Sequence, residues 1–172
     1  MKTLIFALML VSIVTMANSK EITVPYKHIA DYSSHSGETE VQFLHRIAPE
    51  MVSYSAKYEV ETCGVIGRRG DAYSIMLGTN GSHIGCVFDP LKTLNGYLPI
   101  DRIHSHVPDT KTYLLSAVDA KLANIPNPMT PVRIKIDSTT QFSAWDYGSS
   151  GYLAIPGGVL YEHGQGTSAL VK

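Results

Sequence analysis

Apolar positions recur at three- and four-residue steps through Val41, Leu44, Ile47, Ala48 and Met51, and Ser55 continues the stripe. That spacing marks one face of an α-helix, and Ser36 and Thr39 just upstream offer oxygens to cap its first turn. The pattern then changes period. Residues 58–67 are rich in strand formers and stop at the turn cluster Arg68-Arg69-Gly70-Asp71, and a second strand is expected over 72–77, so 58–77 reads as a hairpin. Further strands are expected at 85–88, 102–106, 132–136, 152–155 and 159–162. A short helix fits 114–122, with Leu115, Val118 and Leu122 inward and Pro126 and Pro128 beyond its end. A helix, then strands with a second helix inserted, predicts an α/β domain built on a single mixed β-sheet flanked by helices.

The ends of the chain have a different character. Residues 1–19 carry one positive charge at Lys2, an apolar run from Leu4 to Val11, and small residues before Ser19, the layout of a cleaved signal peptide. The apolar run is too short for a membrane anchor, which needs about 20 residues, and no later segment is long and apolar enough to span. The expectation is therefore a secreted or periplasmic protein with no membrane span after cleavage. Residues 20–36 are polar and mixed and read as an extended N-terminal arm, leaving 37–172 as one domain.

Charge narrows the partners. Fourteen Lys and Arg face fifteen Asp and Glu with no dense basic run, so nucleic-acid binding has no electrostatic support. An exported chain meets an oxidising compartment, where Cys63 and Cys86 can pair; two buried free thiols acting as small hydrophobes is the alternative.

The chemistry concentrates around His104-Ser105-His106. On a strand, the two-residue period puts both imidazoles on one face. Ser116 and Asp119, three apart on the following helix, also share a face. Upstream, Glu61 shares its strand face with Cys63 and Val65. Two imidazoles and a carboxylate can hold zinc with one position left for water, as a catalytic rather than a structural site requires. Asp109 is a rival carboxylate in the intervening loop. His83 sits in a turn near the site and is a candidate substrate contact, whereas His28, His35, His45 and His163 read as solvated. Trp145, Tyr147, Tyr152 and Tyr161 read as packing residues.

Together, Glu61-Thr62-Cys63-Gly64, His104-Ser105-His106-Val107-Pro108 and Ser116-Ala117-Val118-Asp119 resemble the signature of the JAMM metallopeptidases, the zinc-dependent members of the MPN-domain proteins. The resemblance covers about residues 37–136. The segment from Gly151 to Leu160 is loosely similar to the ends of secreted bacterial JAMM-like domains. Val107 intervenes before Pro108, and the interval from His106 to Asp119 is two residues longer than is common in the family. Loop length costs little free energy.

The resemblance implies an MPN (JAMM, cytidine-deaminase-like) fold and a zinc ion held by His104, His106 and Asp119. It further implies Glu61 as the general base that assists attack of zinc-bound water on a peptide or isopeptide bond, and Ser116 as the hydrogen-bond donor to the oxyanion. Export points to a peptidoglycan stem peptide or an envelope protein as substrate, and delivery to another cell to a ubiquitin-like conjugate. The competing expectation is a non-catalytic MPN-like binding, scaffold or adaptor module.

Overall fold

The computed structural model describes residues 24–108, 112–125, 132–135, 139–144, 146–148, 150–164 and 166–172. The segment expected to be a signal peptide, Asp109, Pro126, Pro128 and Trp145 lie outside the described residues.

The apolar stripe forms the long helix α1 (Glu40–Tyr58), with Phe43, Leu44, Ile47, Ala48, Met51 and Ser55 buried. Its start is fixed by a reciprocal capping box: the Thr39 side chain accepts from the Gln42 backbone, and the Gln42 side chain accepts from the Thr39 backbone. Its end is fixed at Glu59, whose left-handed conformation (φ 57°) turns the chain out of the helix. The helix therefore takes Tyr58 from the expected strand, and β2 runs Thr62–Arg69, followed by β3 (Ala72–Thr79).

The other principal strands are β1 (Lys27–Ser33), β4 (Leu98–Ser105), β7 (Ser150–Ile155), β8 (Gly158–His163) and β9 (Ser168–Leu170). They form one seven-stranded sheet in the order β1-β3-β2-β4-β7-β8-β9. Its neighbours are antiparallel except for β4 and β7, which run parallel. The mixed α/β sheet expected from the sequence is thus present. Between β4 and β7 the chain makes a small hairpin of β5 (Thr112–Leu114) and β6 (Arg133–Lys135), with helix α2 (Ala117–Leu122) between them.

Three local expectations are corrected. Part of the N-terminal arm is β1, an edge strand paired with β3; its register shift between His28 and Ala30 breaks the alternation that would have revealed it. Residues 85–88 are not a strand: they belong to the connection between β3 and β4, pinned where Cys86 is bonded to Cys63. Leu114 belongs to β5 rather than to the second helix, which starts at Ala117.

The core lies between α1 and one face of the sheet, where Ile66, Ile75, Leu77, Ile103, Ala154 and Val159 meet the helix. Beside this core Gly64 allows β3 to lie close to β2, since a Cβ there would lie 2.6 Å from the Met76 carbonyl oxygen and 2.8 Å from Ile75. Among the described residues no helix is long and apolar enough to cross a membrane.

Candidate metal centre

Alternation along β4 decides which side chains meet. Ser105 points towards α1, where its hydroxyl bonds those of Ser55 (2.7 Å) and Thr62 (2.6 Å) in a fully buried trio. His104 and His106 therefore project from the opposite face, although β4 ends at Ser105 and His106 is the first residue beyond it. Cys63 is in direct register with His104, and Glu61 precedes β2 on that same face.

The two imidazoles converge, with Nε2 of His104 lying 3.1 Å from Nε2 of His106. Each also lies 3.4 Å from a different oxygen of Asp146. These three residues form a group able to hold a metal ion. Donors that share a tetrahedral zinc ion at about 2.0–2.1 Å lie about 3.4 Å apart; each imidazole lies at that distance from its own Asp146 oxygen, and the two imidazoles lie closer, at 3.1 Å. Two ring nitrogens approach this closely only with a proton or cation between them, and two imidazoles with a carboxylate are donors of a kind zinc takes.

Asp146 is held in place. It sits in a 3-10 turn (Asp146–Gly148), and its Oδ2 accepts from both the backbone N–H and the hydroxyl of Ser143, each at 2.7 Å. Burial would raise its pKa, but hydrogen bonds from His104 and His106 outweigh this and hold the carboxyl far below its ordinary range. Burial pushes the His104 pKa down, favouring the neutral imidazole that binds metals. Phe142 covers His104 (centroids 5.8 Å apart) and is itself packed by Tyr147, giving the site an apolar wall.

Glu61 is buried, and desolvation raises its pKa to about 8, against the attraction of His106 and with the repulsion of Asp146 and Asp119. A carboxyl that exchanges its proton near neutral pH beside a metal-binding group is suited to general acid–base work.

Asp119, expected as the third ligand, does not join the group. Its Oδ1 accepts from the Ser82 hydroxyl (2.6 Å) and the His83 backbone N–H (2.8 Å). Its Oδ2 accepts from His83 Nδ1 (2.7 Å) and the Ser116 backbone N–H (2.8 Å). Burial opposes ionisation of Asp119, and these bonds overcome it and lower the pKa. Ser116 in turn caps α2, its hydroxyl oxygen accepting from the Asp119 backbone N–H at 3.1 Å. Ser116-x-x-Asp119 is thus a capping box, a local reason for the motif that requires no metal.

Sequence reasoning missed Asp146, although a signal was present. Ser143-Ala144-Trp145-Asp146 is a second Ser-x-x-Asp, and the tertiary fold brings this one to the histidines. Of the remaining histidines, His28 pairs with the exposed Asp31, and His45 is half-buried against the Val171 carbonyl. Comparison with protein-family models, with curated proteins and with solved structures finds no match.

Proposed function

We propose that this chain is an exported zinc metallopeptidase, resembling the JAMM family, that hydrolyses a peptide or isopeptide bond. The observation that carries the reading is the convergence of His104, His106 and Asp146 into one group able to hold a metal ion, with the buried carboxyl of Glu61 near it. In this reading those three residues hold the ion, and Asp146 stands where the resemblance would put Asp119.

Zinc, when bound, supplies a Lewis acid that polarises a carbonyl and acidifies water. Glu61, ionised once a cation beside it offsets the burial that raises its pKa in the metal-free site, takes a proton from the attacking water and returns it to the departing amine. The Phe142 wall limits water around the site, which strengthens each charge interaction within it. The Cys63–Cys86 disulfide supports export, because such bonds persist in oxidising compartments. It favours substrates met outside the cytosol, a peptidoglycan stem peptide or an envelope protein before a ubiquitin-like conjugate.

A scaffold or adaptor reading draws on one observation, the capping role that accounts for Ser116 and Asp119 without catalysis. Zinc stoichiometry separates the two readings. The parent protein is expected to bind one zinc ion per chain, with strong loss in His106→Ala and Asp146→Ala and retention in Asp119→Ala. A well-folded parent that binds no zinc sinks the metallopeptidase reading in favour of the scaffold. Loss in Asp119→Ala with retention in Asp146→Ala restores the ligand set of the resemblance.

A further inference from the structure

His83 is held more firmly than a loop histidine requires. Its Nδ1 lies 2.7 Å from Asp119 Oδ2, its backbone N–H donates to Oδ1 of the same carboxylate, and its ring stacks on Tyr113 with centroids 4.7 Å apart. An ionised carboxylate only accepts hydrogen bonds, so Nδ1 carries a hydrogen in the neutral ring and in the imidazolium alike. The other ring nitrogen, Nε2, has no hydrogen-bond partner among the described residues, and the side chain is 19 % exposed.

The loop that carries it is anchored on both sides. Ser82 is fully buried, with its hydroxyl on Asp119 and its carbonyl accepting from the Glu61 backbone N–H at 2.8 Å. Three residues after His83, Cys86 is bonded to Cys63, the register partner of His104. The residues on either side of His83 are thus tied to Glu61 and to Cys63, on the strand segment that faces the histidine pair. Ser116, the oxyanion donor implied by the resemblance, has its hydroxyl oxygen engaged in capping α2.

We propose that His83, oriented by Asp119, is a second catalytic residue of the hydrolysis, donating from Nε2 to the carbonyl oxygen of the scissile bond as negative charge develops there. The assignment rests on the metallopeptidase reading. With Nδ1–H committed to Asp119, donation from Nε2 uses the imidazolium form, whose charge the Asp119 carboxylate balances. No bond to His83 forms or breaks: it lends a hydrogen bond to the tetrahedral state and keeps its proton. A preorganised donor of this kind is worth about 10²- to 10³-fold in turnover.

The test uses inorganic phosphate, a tetrahedral oxyanion without side-chain preference, on the zinc-loaded parent and His83→Gln. Zinc content, phosphate affinity by calorimetry, and the imidazole ¹⁵N resonances of the parent are the readouts. The assignment expects equal zinc in both proteins and phosphate binding at least about tenfold weaker in the variant. It also expects the His83 Nε2 resonance of the parent to move when phosphate is added. Equal phosphate affinity in the two zinc-loaded proteins, no phosphate binding by the parent, or a stationary His83 resonance overturns the role of His83 and leaves the zinc site standing. A parent without zinc overturns the metallopeptidase reading and this assignment with it. Should His83→Gln fail to fold, the ring resonance of the parent decides alone.

Discussion

Replacing Glu61 by Gln in the metal-stripped protein removes a carboxyl that folding has buried, and the consequence is a change in how stability depends on pH. Burial raises its pKa from 4.5 to about 8. Between those values the folded protein binds more protons than the unfolded chain, so stability falls as pH rises, and above pH 8 the loss is complete. At about 1.36 kcal/mol per pKa unit, the whole effect approaches about 5 kcal/mol. The other perturbed groups of the site act elsewhere: the lowered pKa of His104 matters below 6.5, and those of Asp146 and Asp119 below 3.8. Across the window from pH 6.5 to 8 the parent should lose about 2 kcal/mol more than the Glu61→Gln variant, the difference that belongs to Glu61. Urea unfolding at intervals across that window, with chelator present and the disulfide intact, measures it. The Glu61→Gln variant should show a clearly shallower profile over the same range, whatever its absolute stability. Parallel profiles for the two proteins would refute the claim that Glu61 is buried as a protonated acid.

Reducing Cys63–Cys86, or replacing both by Ser, should cost about 3 kcal/mol through the freed loop between them, seen as a lower urea midpoint and faster proteolysis between residues 80 and 97. Ser105→Ala leaves the Ser55 and Thr62 hydroxyls without their shared partner; a loss of about 1–3 kcal/mol in chemical unfolding is expected, with zinc content preserved. Gly64→Ala drives a methyl group into the Met76 carbonyl and Ile75 and should destabilise by about 1–3 kcal/mol or more, measured as a fall in melting temperature. Ser143→Ala removes a hydroxyl that orients Asp146 but is no ligand; zinc affinity should weaken about 10-fold or more without loss of stoichiometry, by competition with a chromophoric chelator.

Periodicity was enough for the elements whose faces are unequal. Helix α1 was legible because its stripe packs on the sheet, and β3, β4, β7 and β8 because alternation and turn residues bound them. It was not enough for β1, whose bulge interrupts the alternation, nor for residues 85–88, where strand-forming side chains belong to a connection tied down by a disulfide. Short segments take their conformation from what they touch, and that information is not local.

The site divides along the same line. The face shared by His104 and His106 follows from the two-residue strand period, and Glu61 was separable from its neighbours on the same ground. The third carboxylate was beyond such reasoning, because the chain holds two Ser-x-x-Asp motifs that are locally alike. One caps α2 and orients His83; the other sits in a turn before β7, and the parallel pairing of β7 with β4 carries it to the imidazoles. Sequence by itself determined which residue types were available and which way each strand presented them. Only the tertiary structure decided which aspartate reaches the histidines, because a ligand group is assembled by contacts between segments far apart in the chain, and local spacing places no constraint on those contacts.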